Sequence, residues 1–418
     1  MSTRPTFTGD RATTRVVVAV SLSAFAEWGG ASAVLPLLPV YLRRHGSSVA
    51  LVGLTMAAFF IAALVVQYPL GRLSDRVGRR HMQIGGLLTY SIATVLFAFV
   101  SAPLAALLFR ALQGAGTGIV DVANAATIGE VVPPSRRGRA YGALYGMRTV
   151  GMAVGPFLGG LAGFAGMRFV FLAAALVVLV AVLPLLRLSQ QRRPALVVRS
   201  GGRVALWRSR SVIGVVIAFL ATGVIIGMYE VCWSLLLNLR GASSFEIGLS
   251  WTLFAFPFGV VSFPAGWLVD HMDRRYLVAI SLFGTAAFAS AYPFIHSVVW
   301  LMGLGVAEAS MVALGAPAYL SQLSHSVRPD ELGRAQGAAS SVQTGATAVA
   351  AVFAGALFGL HYWLPFELAG VVIGVLIVAM SVAWRGVPGT GSVVEPSEEP
   401  ALSPRPELRP EPAGECAG

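Results

Sequence analysis

The sequence predicts an all-α integral membrane protein with twelve transmembrane helices in two pseudo-symmetric six-helix halves. Three observations carry this prediction. Of the 418 residues, 56% are hydrophobic and only 12% are charged, with a mean hydropathy of +0.75; soluble domains carry about 25% charged residues. Apolar runs recur near the ~20 residues that a helix needs to cross a bilayer, and open strands are excluded because unpaired backbone groups cannot face lipid. Lastly, Gly71-Arg72-Leu73-Ser74-Asp75-Arg76-Val77-Gly78-Arg79-Arg80 returns 195 residues on as Gly266-Trp267-Leu268-Val269-Asp270-His271-Met272-Asp273-Arg274-Arg275. Gly138-Arg139-Ala140-Tyr141-Gly142 returns at the same offset as Gly333-Arg334-Ala335-Gln336-Gly337. Two matches at one spacing mark an internal duplication, with a repeat too long for a solenoid.

Residues 1–15 read as a polar tail without a fold signal. The first half covers 16–187, with helices at 16–41, 49–70, 82–101, 104–131, 139–165 and 168–187. The first run is too long, and followed by too many others, to be a cleaved signal peptide. It carries Glu27 near its middle, then Pro36 and Pro39, which remove backbone donors and bend or loosen the helix. The 71–80 segment reads as a short basic hinge between the second and third runs. In the fourth, Arg110 and Asp121 are 11 residues apart, so they share one face, roughly 16 Å apart along the axis. The fifth is dense in glycine, and small residues three or four apart let helix backbones approach closely. Residues 188–210, rich in arginine with Pro194 and Gly201-Gly202, read as a linker.

The second half covers 211–385, with helices at 211–238, 245–269, 276–296, 297–323, 335–360 and 364–385; Glu230 and Glu308 fall inside two of them. Residues 386–418 are rich in Pro, Glu and Ser and read as a disordered tail. Cys232 lies in a span and Cys416 in that tail, so no disulfide is implied.

Arginine placement orients the chain. All 30 basic residues are Arg, and 24 fall in the tails and loops on one side, against Arg43, Arg44, Arg168 and Arg240 on the other. The positive-inside rule therefore places both termini in the cytoplasm. This asymmetry accounts for the net charge of +11, leaving a nucleic-acid partner little to explain.

Ionisable side chains at bilayer depth cost about 2.5–3.5 kcal/mol each on insertion scales and point to function. Here they are Glu27, Arg110, Asp121, Arg148, Glu230 and Glu308. Burial and a nearby arginine act on a carboxyl's proton affinity in opposite directions, so a Glu27–Arg110 pair would be proton-sensitive; a static structural ion pair is the plainer reading. No motif assigns partners to the other four. The repeat sets Arg110 against Gly305, Glu308 against Gln113, Arg148 against Gln343 and Glu230 against Leu35, so the shared scaffold did not impose these charges. Trp28, Tyr41, Tyr229, Trp233, Trp251, Phe256 and Phe258 could line a site for a lipophilic ligand or simply anchor the helices. No phosphate-binding loop, metal-ligand cluster or activated nucleophile stands out, so no cofactor, metal or enzymatic activity is expected.

Over residues 16–385 the chain resembles the major facilitator superfamily. The 71–80 segment is similar to that superfamily's motif between helices 2 and 3; the second copy is weaker, since Asp273 stands where Gly78 does. Glu130 with Arg137-Gly138 resembles the acidic-plus-Arg-Gly signature ending helix 4, and residues 107–116 resemble the helix 4 arginine motif. Gly142, Gly151, Gly155-Pro156 and Gly159-Gly160 have the spacing of the helix 5 motif associated with antiporters. Gly30 followed by Pro36 and Pro39 resembles a helix 1 pattern of twelve-helix drug exporters.

The resemblance implies a proton-coupled secondary transporter of the bacterial inner membrane, exporting small lipophilic or cationic compounds by alternating access. Its site would lie at the midplane between two rocking halves. Its partners would be a small-molecule substrate, protons and the bilayer, and it would act as a monomer. Asp75 would meet the positive end of a helix dipole near Ala335, with Arg79 linking it to Glu130 beside Arg137. Asp270 and Arg274 would mirror this gate. A proton-coupled exporter or importer of one specific metabolite such as a sugar, and a non-transporting receptor on the same fold, are the alternatives.

Overall fold

The computed structural model describes residues 7–99, 102–188, 209–328 and 331–387. The expected linker and C-terminal tail lie almost wholly outside these residues. Every regular element described is helical: α1 (Phe7–Val34), α2 (Leu38–Arg44), α3 (Val49–Val77), α4 (Arg79–Phe97), α5 (Pro103–Val131), α6 (Arg137–Ala162), α7 (Met167–Val180), α8 (Val182–Leu186), α9 (Arg210–Leu239), α10 (Ser244–His271), α11 (Arg274–Ala291), α12 (Val298–Ser324), α13 (Leu332–Leu360) and α14 (Leu364–Ala383). Among the described residues, nine stretches are long and apolar enough to cross a membrane. The spans predicted on α4, α6 and α10 are not among them. Both α4 and α6 open on arginines, and α6 adds Arg148 and many glycines, which lower its hydropathy.

Two expectations are corrected. Residues 7–15, read as tail, already belong to α1, since lengthening an existing helix avoids the costly nucleation step. The first span loosens between Val34 and Leu38 as its prolines led one to expect, Pro36 removing a backbone donor. Most of the 71–80 segment is helix rather than hinge: α3 runs to Val77 and only Gly78 breaks it, at φ +94°, a conformation that favours glycine. In the second copy the chain turns through Met272 and Asp273 instead. Asp273 has an ordinary φ of −63° and caps α11 by accepting the Arg275 N–H at 2.9 Å. Hydrogen bonds from the Arg275 side chain, before any other influence, hold the Asp273 carboxyl below its usual range.

Within the first group of helices α1 packs along α6 and α3 against α5; within the second, α9 packs along α13 and α10 against α12. The two groups meet where α3 crosses α13 and α6 crosses α10. Glycines make both crossings possible. A Cβ on Gly53 would stand 2.8 Å from the Gly355 Cα, and one on Gly160 would stand 3.2 Å from the Gly248 Cα. Both crossings lie at the helix ends remote from the repeated motifs. At the motif ends, a Cβ at Gly138, Gly142, Gly266, Gly333 or Gly337 would meet nothing within 4 Å. The helices are therefore held together at one end and stand apart on these faces at the other.

Candidate functional site

A stripe on α6 builds the first polar cluster. Arg148, Gly151, Gly155 and Gly159 recur at helical spacing on one face. The three glycines lie against the α1 backbone: a Cβ on Gly151 would reach the Phe25 carbonyl oxygen at 2.5 Å, and those on Gly155 and Gly159 would run into Gly29 and Ala33. This approach brings α1 residues 27 and 28 opposite Arg148. The guanidinium lies 3.8 Å above the Trp28 ring, and its Nη1 is 3.3 Å from Asp121 Oδ2 on α5. Glu27 is fully buried; among the described residues its carboxyl oxygens make no well-formed hydrogen bond, the Thr117 side chain lies nearby, and Asp121 and Arg148 are within its electrostatic reach. With both carboxyls ionised the cluster carries one net negative charge, which one proton would cancel.

The expected Glu27–Arg110 pair does not form. Arg110 is 2% exposed, but it turns toward α3: its Nη1 donates to Gln113 Oε1 at 2.9 Å and its guanidinium covers the Phe59 ring at 4.4 Å. Gln113 in turn donates to Thr94 Oγ1 at 2.8 Å. The helices that carry them have other main partners, α1 packing chiefly on α6 and α5 on α3 and α4.

The second cluster faces open space. A cavity of about 420 Å³ is lined chiefly by α9, α10, α11 and α12, with Thr149 and Met152 contributed by α6. Both Glu230 and Glu308 line it, and among the described residues no Arg, Lys or His does. Oε2 of Glu230 is buried without a hydrogen-bond partner. Glu308 differs: the hydroxyls of Tyr229 and Tyr292 donate to its two oxygens, each at 2.6 Å. Its wall is aromatic, through Tyr229, Trp251, Phe254, Phe258 and Tyr319. Two reciprocal bonds brace α9 to α10 beside it, Trp233 Nε1 to Ser250 Oγ at 3.0 Å and Trp251 Nε1 to Ser234 Oγ at 3.2 Å. Of the aromatic residues singled out from sequence, Tyr229, Trp251 and Phe258 line the cavity, whereas Phe256 is 65% exposed.

At the motif ends, Arg79 donates from Nε and Nη2 to Glu130 Oε1, at 2.9 and 2.6 Å. Arg137 Nε donates to the Val132 carbonyl at 3.0 Å. The side chain of Asp75 lies outside the described residues. Asp270 is exposed and Arg274 buried. Arg274 has its Nη2 3.5 Å from His325 Nε2, so the structure does not bring the mirrored pair together.

The model of the Major Facilitator Superfamily matches this sequence twice, over residues 20–239 and 212–413. The chain belongs to the Major Facilitator Superfamily. Members of that superfamily are multi-pass membrane transporters of small molecules, not enzymes. Over 156 residues it is 29% identical to an uncharacterized MFS-type transporter of Methanocaldococcus jannaschii. That match covers 37% of this chain and spans only 40% of the relative's length. Multidrug resistance protein 1 of Bacillus subtilis is 25% identical over 370 residues, covering 86% of this chain and 94% of that one. The crystal structure of the nucleoside transporter NupG superposes with a TM-score of 0.73 at 13% identity, covering 88% of this chain and 99% of that one. This last likeness concerns the superfamily fold alone.

Sequence reasoning missed Phe254, Tyr292 and Tyr319. Phe254 was legible as an aromatic four residues before Phe258, one turn away on the same face. Tyr292 sits in a short 3-10 turn after α11, where no periodicity points to it.

Proposed function

We propose that this chain exports small lipophilic cations in exchange for protons. The observation that carries the reading is the cavity of about 420 Å³, with two glutamates, five aromatic side chains and no basic residue in its lining. Ring faces attract a cation, and carboxylates in a largely apolar pocket select and orient it. Likeness to a protein named for multidrug resistance, over most of both chains, supports the same reading. In it Glu230 meets the cationic group and Glu308 supplies a second, tyrosine-held acceptor.

The proton is carried by Glu27, beside the Asp121–Arg148 pair. Arg148 and the glycines that seat α1 share one helix with Gly160, which meets α10, so a change of charge in the cluster reaches the crossing between the two groups of helices. Arg110 acts as the buried cation between α5 and α3. Alternating access separates the Gly53–Gly355 and Gly160–Gly248 crossings and closes the motif ends. There Asp75, Arg79, Glu130 and Arg137, with Asp270 and Arg274, form the gate. The chain crosses the bacterial inner membrane twelve times, with α4, α6 and α10 as the remaining spans, both termini cytoplasmic, and works as a monomer.

A resistance profile in an efflux-deficient host tests the reading. Expression should raise tolerance to lipophilic cations such as ethidium, with little change for anions of similar size, and a collapsed proton gradient should abolish the effect. Cells that accumulate these cations faster, or a profile indifferent to charge, would overturn it.

A further inference from the structure

We infer that a second, basic pocket holds the phosphate of an acidic phospholipid at the end of the bundle remote from the repeated motifs. The pocket encloses about 500 Å³ and shares no lining residue with the central cavity. Tyr41, Arg44 and His45 enter it from the end of α2, Arg168 from the first turn of α7, and Ser244 from the start of α10. No acidic residue lines it.

The two arginines are prepared for an anion. Arg168 is oriented by the bond from its Nε to the Ala98 carbonyl, at 3.1 Å, and by the Phe99 ring 5.0 Å from its guanidinium. Arg44 is exposed, with no ion pair or hydrogen bond among the described residues. Guanidinium groups match phosphate oxygens through paired N–H donors. Their convergence is notable in a chain that places so few arginines at this end. Arg43 and Arg240, the other two, donate instead to the carbonyls of Ser47 and Pro293, at 3.0 and 2.5 Å.

A lipid headgroup fits better than a free anion. The pocket lies where α2 and α4 end and α7 and α10 begin, which is the level of phosphates in a bilayer spanned by these helices. Beside it, Phe99 and Phe169 are 62% and 54% exposed and present an apolar surface to an acyl chain. The phosphate bridges α2 and α7 to the start of α10, the helix that meets α6 at Gly160 and Gly248. A ligand that binds one arrangement better shifts the population toward it, so the lipid favours the state with these ends together. The inference needs only the membrane fold, not the proposed substrate or proton.

The full chain, reconstituted in phosphatidylcholine nanodiscs with or without 20 mol% phosphatidylglycerol, provides the test, its thermal unfolding midpoint being the readout. Phosphatidylglycerol should raise the midpoint by about 2–4 °C. Arg44→Gln combined with Arg168→Gln should remove that increment. Arg44→Gln alone disturbs no protein contact and should reduce it by half or more, while Arg43→Gln, at the same end but outside the pocket, should leave it unchanged. Inorganic phosphate at 10 mM in pure phosphatidylcholine should give no increment. An increment from phosphate alone would overturn the lipid assignment in favour of a free anion. An increment that survives Arg44→Gln and Arg168→Gln, or is lost equally in Arg43→Gln, would overturn the pocket.

Discussion

Glu27 and Glu308 are both buried carboxyls, and they keep opposite company. Glu27 has at most the nearby Thr117 hydroxyl for a partner and stands beside an arginine already engaged with Asp121. Glu308 has a phenol on each oxygen and, with Glu230, faces a cavity whose lining has no cation. The first arrangement is charge-dense, and one proton changes its balance. The second has an anionic lining open to a visitor, with Arg110, outside that lining, within electrostatic reach of Glu230. Buried ionised groups are tolerated only when paired or hydrogen-bonded: Glu308 is held by its two phenols, whereas Glu27 has beside it only an arginine that Asp121 already engages. The difference assigns proton work to the α1–α5–α6 cluster and substrate work to the α9–α12 cavity.

The largest effect should come from Arg148→Ala, which leaves Glu27 and Asp121 as neighbouring acids with no cation. Breaking a buried pair costs about 3–5 kcal/mol; this pair is partly exposed, with 29% and 27% of its side chains accessible, so a loss of about 2–3 kcal/mol is expected. Thermal unfolding should show it, and coupled transport should fail even in protein that remains folded. A stable, coupled Arg148→Ala protein would erase the distinction between the two regions.

Glu230→Gln should act on the other side, on substrate and not on stability. A charge-assisted contact is worth about 1.5–3 kcal/mol, so affinity for a cation should fall roughly 10- to 100-fold. A neutral compound of the same shape should bind nearly as before. Equal losses for both would mean that the carboxylate shapes the cavity and does not read charge.

A smaller change sharpens the account. Tyr292→Phe takes one donor from Glu308 while leaving the cavity wall, which Tyr292 does not line, intact. About 1 kcal/mol of stability should go with the bond, and cation affinity should change less than fivefold. A larger effect on transport than that of Glu230→Gln would move the principal substrate contact to Glu308.

The fold was largely legible because its signals are local: apolar runs, arginine-bearing loops and a motif that recurs 195 residues on. The Arg79–Glu130 bond was legible through resemblance, since both residues sit in recurring motifs. The pairings inside the bundle were not. Asp121 and Arg148 lie on neighbouring helices, and whether they meet depends on the rotation set when Gly151, Gly155 and Gly159 seat α1 against α6. The expected Glu27–Arg110 pair fails for a like reason, since spacing within each helix says nothing of the angle between them. Tyr292 was invisible for a related reason: it reaches Glu308 from a turn, outside any helical stripe.

Proton release on substrate binding tests the division of labour most directly. Wild-type protein in weak buffer should release protons as a lipophilic cation binds, in proportion to the amount bound. Glu27→Gln, which mimics the protonated carboxyl, should bind the cation yet release almost none, and its efflux should no longer follow the proton gradient. Glu308→Gln should bind more weakly but still release protons when saturated. If Glu27→Gln releases protons as wild type does while Glu308→Gln releases none, the proton belongs to the cavity and the two regions do not divide the work.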